Sequence, residues 1–362
     1  MTALKERLRE LIAAAGPISV SDYMASCLFD PDAGYYTTRE PFGVAGDFTT
    51  APEISQMFGE LVAVWAYSAW AAMDRPMPMT LAEIGPGRGT LMADMLRTLD
   101  RLDTGFVTRA RIALIEASPR LAALQKERLA SGRGRPTWFS EIAALPATPL
   151  VIVGNELFDA LPVRQFVRTA QGWPERVVGL DNDGALRFMA GAAGIDPALL
   201  PHGAMDAPEG AIFETAPARE ALMAGISARI VRDGGAALFI DYGHLRPGLG
   251  DTLQAVRKHA YDDALANPGE ADLTSHVDFF ALARIAQAHG LEVRTTTQGA
   301  FLVGLGLLER AGALGAAADE ATRERLRGEV ERLAGPEAMG DLFKVLCVTR
   351  KGTVLPPFAA QG

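Results

Sequence analysis

The apolar run Leu81-Ala82 leads straight into Glu83-Ile84-Gly85-Pro86-Gly87-Arg88-Gly89-Thr90, and few features constrain a fold as tightly as a strand that ends in three alternating glycines. Glycine lets the chain turn sharply and pass close to a ligand where a Cβ would collide, and a helix opening just beyond aims free N–H groups at whatever binds there. The spacing also sorts the ligands. A dinucleotide fold requires G-x-G-x-x-G, but the sixth position counted from Gly85 is Thr90, and counted from Gly87 it is Met92. A phosphate loop requires a lysine directly after its last glycine, and residues 85–99 contain none. What remains is an acidic residue followed by glycines at every second position, suited to a nucleotide-like cofactor held by main chain.

The rest of the chain supplies a frame for such a loop. With 49% hydrophobic residues over 362 positions it can fill one sizeable core plus insertions. Leu150-Val151-Ile152-Val153 and Ala236 to Ile240 are continuous apolar runs of the kind buried on both faces of a parallel sheet. Ile112 to Ile115, Trp138-Phe139, Leu291-Glu292-Val293-Arg294 and Val345-Leu346-Cys347-Val348 read as further strands, with helices predicted over 52–73, 91–99, 121–129, 277–288 and much of 307–333. This alternation predicts right-handed βαβ units in a doubly wound α/β sheet. Arg75-Pro76-Met77-Pro78 blocks helix continuation, so the expected division is a helical or lid region over 1–78, a main domain over 79–350 and a tail over 351–362. Turn chemistry at Trp173-Pro174 and Asp181-Asn182-Asp183-Gly184 marks an insertion after the fourth strand, at about 163–215. Residues 300–340 form another after the sixth. The apolar helix over 62–72 suits either a core or a homodimer interface.

A net charge of −9 argues against a nucleic-acid partner, since phosphate binding needs basic surface to release counterions. Cys27 and Cys347 lie far apart and outside metal-ligand spacing, so they read as buried thiols of a reducing compartment. No metal site is expected. The N-terminal pattern of Leu4, Leu8, Leu11 and Ile12 among charges is neither a signal peptide nor a spanning segment, so the expected location is cytoplasmic, without membrane insertion.

Ligands in doubly wound sheets bind beyond the carboxyl ends of the strands, which singles out Gly85 to Gly89, Glu116, Gly154 to Asp159 and Asp241 to His244. Glu116 ends the second strand, where a carboxylate can accept hydrogen bonds from both hydroxyls of an adenosine ribose. Glu83 has two readings: an anchor for the loop's N–H groups or for a cofactor ammonium, or a part of the loop's structure alone.

Five separated blocks carry a resemblance over roughly residues 15–350. They are Gly46-Asp47-Phe48-Thr49-Thr50-Ala51-Pro52-Glu53-Ile54-Ser55-Gln56-Met57-Phe58-Gly59-Glu60, the glycine loop with Arg88, Gly154-Asn155-Glu156-Leu157-Phe158-Asp159-Ala160-Leu161-Pro162, Asp241-Tyr242-Gly243, and Leu273-Thr274-Ser275-His276-Val277-Asp278-Phe279. Together they resemble the MidA-like methyltransferases, a family that includes a mitochondrial assembly enzyme acting on an arginine of a respiratory complex I subunit. The resemblance implies a seven-stranded class I methyltransferase sheet, S-adenosylmethionine as cofactor and a protein arginine as acceptor, with complex I assembly as the setting. A small-molecule methyltransferase, or a non-catalytic module that retains the cofactor pocket, is the alternative.

Methyl transfer from a sulfonium needs neither metal nor covalent intermediate, so alignment supplies most of the catalysis. An arginine acceptor is charged and delocalised, and carboxylates can hold it bidentately. Glu156 and Asp159 are therefore the first choice for the acceptor side; the alternative is that Glu156 braces its loop and Asp159 caps a turn before Pro162. Gly85, Pro86, Gly87 and Gly89, with Glu83, Glu116, Asn155 and Thr50, form the expected cofactor set. Thr50 belongs to Asp47-Phe48-Thr49-Thr50, read as a lid whose hydroxyls reach the cofactor carboxylate, or else as the N-cap before Pro52. His276 opens the predicted 277–288 helix and contacts substrate or relays a proton, unless it is incidental to capping by Ser275. Tyr35 and Tyr36 are further candidates for lining the acceptor.

Overall fold

A computed structural model describes residues 2–39 and 49–358. The chain forms two compact units, one of Met1–Phe48, Phe158–Ala221 and Arg246–Asp278, the other of Thr49–Leu157, Leu222–Leu245 and Phe279–Gly362. The segment 1–78 is thus divided between the units rather than forming a region of its own.

The second unit holds the expected sheet. Its strands are β1 (Thr80–Ile84), β2 (Arg111–Ile115), β3 (Thr137–Phe139), β4 (Leu150–Asn155), β5 (Gly235–His244), β6 (Glu292–Thr297) and β7 (Phe343–Thr349). They lie in the order β6-β7-β5-β4-β1-β2-β3. The pairs β5–β4, β4–β1, β1–β2 and β2–β3 are parallel, whereas β7 runs antiparallel to both β5 and β6. The sheet has eight strands in all, seven of them on this path, which is one more than expected. Every residue of β1 and β4 is buried, as a central parallel strand covered on both faces requires. Strand order reverses direction between β1 and β4, and a crevice at such a switch point is where doubly wound sheets take ligands.

Helix α1 (Gln56–Ala72) covers this sheet. Most of the apolar positions of 62–72 are core rather than interface: Val62, Ala63, Trp65, Ala66, Ala69 and Trp70 are buried with α2 (Thr90–Leu102) and the strands. The predicted 52–73 helix is broken at Ser55, whose extended backbone (φ −155°) separates Ala51–Ile54 from α1 while its Oγ accepts from Met57 N at 3.3 Å. A serine hydroxyl that satisfies one of the free N–H groups offsets part of the cost of starting a new helix there. Gln298–Gly304, Leu307–Gly315 and Glu320–Ala334 lie between β6 and β7, where the second insertion was expected.

The first unit is built from helices Ala3–Ala15 and Val20–Phe29 and two small sheets. The insertion after β4 supplies most of the larger one, with Pro174–Leu180 and Leu186–Gly194 joined through the Asp181–Gly184 turn. The smaller one, Gln254–Arg257, Ala260–Asp262 and Asp272–Thr274, has strands too short and too charged to show a two-residue period. Helix Phe279–Ala288 begins later than the predicted 277, because Val277 and Asp278 are extended. Ser275 does not supply its cap: the Ser275 hydroxyl is taken by Arg219 Nη2.

Candidate active site

The three glycines after β1 are all left-handed, with φ +67° at Gly85, +52° at Gly87 and +77° at Gly89. A Cβ on Gly85 would lie 2.9 Å from Leu157 Cδ1, so a side chain there requires the leucine or the loop to shift. Gly89 is the N-cap of α2 without any side-chain cap, leaving the first-turn N–H groups of that helix facing the loop. Glu83 is 3% exposed, and its Oε2 has no hydrogen-bond partner. A bond from the Met92 backbone ties it to the first turn of α2 rather than to the glycine N–H groups. Burial, with a smaller contribution from the charge on Glu116, pushes its carboxyl up to about 8.

This shift has a consequence for stability. Between the unfolded value near 4.5 and about 8 the folded protein keeps a proton that the unfolded chain has released, so stability falls as pH rises across that window. Glu83→Gln is therefore expected to raise the melting temperature of the cofactor-free protein by a margin that grows from about pH 5 to about pH 8, corresponding to a few kcal/mol at most, and then levels off. Thermal unfolding of both proteins across that range measures it, and a margin independent of pH would contradict the assignment.

Glu116 directly follows β2. Its Oε1 accepts from Ser118 N at 2.7 Å and its Oε2 from Gln125 Nε2 at 3.0 Å. Burial raises its carboxyl, and these bonds oppose the rise. Each oxygen keeps further acceptor capacity for a ribose diol.

At the end of β4, Asn155 is buried and its Oδ1 has no partner, while its Nδ2 donates to Glu156 Oε1 at 2.9 Å. Glu156 is left-handed (φ +50°), a conformation that costs a side chain roughly 1–3 kcal/mol and persists only where neighbours enforce it. The enforcing groups are on β5: Glu156 N donates to Ile240 O at 2.9 Å, and Leu157 N to Asp241 Oδ2 at 3.1 Å. Asp241 is fully buried, and its other oxygen accepts from Tyr242 N. Glu156 Oε1 also accepts from Ala51 N at 3.2 Å, which brings the start of the Ala51–Ile54 helix to the same corner. Thr50 occupies the N-cap position of that helix but makes no side-chain capping bond. Next to it, Glu53 accepts from the Thr90 hydroxyl and lies 4.0 Å from Arg88 Nη1, holding the short helix against the glycine loop. Asp47 and Phe48, the other part of the expected lid, lie outside the described residues.

Asp159 and His276 belong to the first unit, as do Tyr35 and Tyr36. Asp159 is buried, and its carbonyl accepts from Ser275 N at 3.1 Å and from Arg219 Nη2 at 3.1 Å. Arg219 Nη1 donates to His276 O at 2.7 Å, and His276 N donates to Thr252 Oγ1 at 3.0 Å. One buried guanidinium therefore clamps the main chain of both candidates into a single cluster. Tyr36 donates its hydroxyl to Asp272 at 3.1 Å, a brace within the same unit.

The cofactor candidates Thr50, Glu83, Gly85, Pro86, Gly87, Gly89, Glu116 and Asn155 fall in the second unit together with Glu156. Glu53, Gln125 and Arg219 were not read as site residues, and Asp241 was singled out only by its place at a strand end. Asp241 and Glu53 were within the quoted blocks, while Gln125 and Arg219 sit on ordinary helix faces with no local signal. A cleft of about 670 Å³ lined by Arg111, Arg135 and Thr137 lies at the amino ends of β2 and β3, the wrong edge for a ligand of this sheet. Cys27 and Cys347 are free and buried, and burial pushes each thiol up to about 12, which leaves both unreactive.

A doubly wound sheet with a reversed last strand, and a glycine cradle with buried acids at its switch point, define an α/β methyltransferase fold. Residues 61–297 match the family described as "Putative S-adenosyl-L-methionine-dependent methyltransferase", and the chain belongs to that family of S-adenosylmethionine-dependent enzymes. It is 34% identical to the zebrafish (Danio rerio) protein arginine methyltransferase NDUFAF7, mitochondrial, over 98% of this chain and 91% of that one. The human (Homo sapiens) protein of the same name is 35% identical over 95% and 82%. Among solved structures, a Burkholderia thailandensis protein bound to S-adenosyl-homocysteine superimposes with a TM-score of 0.84 at 32% identity, covering 96% of this chain and 92% of that one. The cytoplasmic location expected from the sequence is overturned by the same comparisons, since these relatives are named as mitochondrial proteins. Among the described residues no helix is long and apolar enough to cross a membrane.

Proposed function

We propose that this chain methylates an arginine side chain of a protein, with S-adenosylmethionine as donor, and that the acceptor is a subunit of respiratory complex I. The observation that carries the acceptor is the similarity, over nearly the whole chain, to proteins named as protein arginine methyltransferases. Locally, the cradle suits the cofactor: each glycine of the loop is left-handed, a conformation side chains disfavour, while Glu83 Oε2 and Asn155 Oδ1 are buried oxygens left without partners. Unpartnered buried acceptors are costly and suit a ligand that brings donors, such as an ammonium or an adenosine.

In this reading the backbone of Gly85, Pro86, Gly87 and Gly89 lines the cofactor, Glu116 accepts from the ribose hydroxyls, and Glu83, Asn155 and Thr50 contact the remaining polar groups. The cofactor, when bound, supplies an activated methyl on a sulfonium leaving group. Glu156 would hold the acceptor guanidinium, since bidentate carboxylate bonds concentrate positive charge on the two nitrogens they bind and leave the third to be methylated, and Asp159 is the other acid proposed for the acceptor side. The attacking nitrogen must shed a proton as it is methylated, and His276 is the group assigned to receive it.

The test is transfer of label. Incubated with labelled S-adenosylmethionine and a lysate from a strain lacking this protein, the enzyme is expected to label arginine in one protein band, located by mass spectrometry. Label confined to a metabolite fraction, or on another residue type, would sink the arginine reading and leave a different acceptor for the same fold.

A further inference from the structure

We infer that Gln125 is a positioning residue of the cofactor site, whose side-chain amide locks the acid after β2 to the glycine loop after β1. The inference rests on the reading of Glu116 as the ribose acceptor and adds the group that holds it in place.

Gln125 lies on helix α3 (Pro119–Leu129) and is fully buried. Its Nε2 donates to Glu116 Oε2 at 3.0 Å and to Gly87 O at 2.8 Å, and its Oε1 accepts from Trp138 Nε1 at 2.8 Å. An indole N–H can only donate and a peptide carbonyl can only accept, so these two partners fix which end of the amide is nitrogen. The same side chain packs beneath the turn, because a Cβ on Gly89 would lie 3.4 Å from Gln125 Cγ. One residue therefore touches the second and third glycines and the acid together.

If its task were to fill space, an apolar residue would serve. A buried amide is kept where its bonds are needed, since each polar group must be satisfied. Here both amide protons are spent on the cradle. Ser118 N holds one oxygen of Glu116 and Gln125 holds the other, so the carboxylate cannot rotate and its free lone pairs stay aimed in one direction. A vicinal diol is read best by an acceptor fixed in advance.

The 362-residue protein is titrated by calorimetry with S-adenosylhomocysteine as wild type, Gln125→Leu, Gln125→Glu, Glu116→Gln and the Leu/Gln double variant. Gln125→Leu is expected to bind ~10-fold more weakly, the size of a lost hydrogen bond to a charged group, with the loss in turnover falling on KM for the cofactor rather than on kcat. The double variant is expected to lose clearly less than the product of the two single losses, because part of what Gln125 does acts through Glu116. Gln125→Glu sets two carboxylates against each other. Relative to wild type it is expected to bind poorly near about pH 9 and to recover towards about pH 6, where the pair shares a proton and the bond is remade.

Wild-type affinity in Gln125→Leu, losses that multiply in the double variant, or a Gln125→Glu profile parallel to wild type would each overturn the inference. If Gln125→Leu fails to fold, the pH profile of Gln125→Glu decides alone. Glu116→Gln separates the two levels: wild-type affinity there removes the ribose reading itself, whereas weak binding there beside normal Gln125→Leu removes Gln125 only.

Discussion

Alanine at Gly85 is expected to weaken cofactor binding by about 100-fold while the protein stays folded. Two costs add at this position. A Cβ at φ +67° is disfavoured by roughly 1–2 kcal/mol, and the same atom would lie 2.9 Å from Leu157 Cδ1, an overpacking that typically costs about 1–3 kcal/mol. The Leu157 backbone is held through its N–H by the buried Asp241 carboxylate at 3.1 Å, so the contact is relieved by turning the leucine side chain or by shifting the loop. The left-handed strain falls on the loop in either case, and at about 1.4 kcal/mol per tenfold the resulting displacement appears as lost affinity. Calorimetric titration with S-adenosylhomocysteine measures the loss, and thermal unfolding establishes that the variant is folded. Binding at wild-type strength by a folded Gly85→Ala protein would mean that this turn is not the cofactor cradle.

How much of this site is visible in the sequence depends on the range over which each residue is fixed. The glycine loop is legible because its constraint is local: Gly85, Gly87 and Gly89 need left-handed conformations whatever lies around them. The central strands are legible because burial on both faces forces unbroken apolar runs, as in Leu150 to Val153. The corner after β4 is different. Nothing in Asn155-Glu156-Leu157 announces a left-handed glutamate, because Asp241, which holds the corner, lies 84 positions away. Gln125 and Arg219 are hidden for the same reason, since each occupies a helix face that would suit many residues and is defined only by partners from other elements. Ser55 shows the converse: the helix breaks there, with the serine capping the new start, although the apolar period runs straight through it.

Loss of methyl transfer by about 10²–10³-fold, with cofactor affinity kept, is the expected result of Glu156→Gln, the magnitude seen when one pre-aimed polar group is removed from a reacting centre. The substitution keeps the size of the side chain and an oxygen that can accept from Ala51 N, so the corner after β4 has little reason to collapse. What it removes is the negative charge, and a cationic acceptor is the species that would need one. Glu156→Gly sharpens the question. Glycine relieves the left-handed strain at φ +50°, which offsets the bonds lost with the side chain, so the melting temperature is expected to stay near wild type while transfer disappears. A residue kept for structure would behave in the opposite way, with stability falling and the surviving folded fraction fully active. Rates measured with labelled S-adenosylmethionine, beside calorimetric affinity and thermal unfolding, discriminate between these outcomes. Full transfer in both variants would return Glu156 to the role of a loop brace and leave the acceptor charge to be held elsewhere.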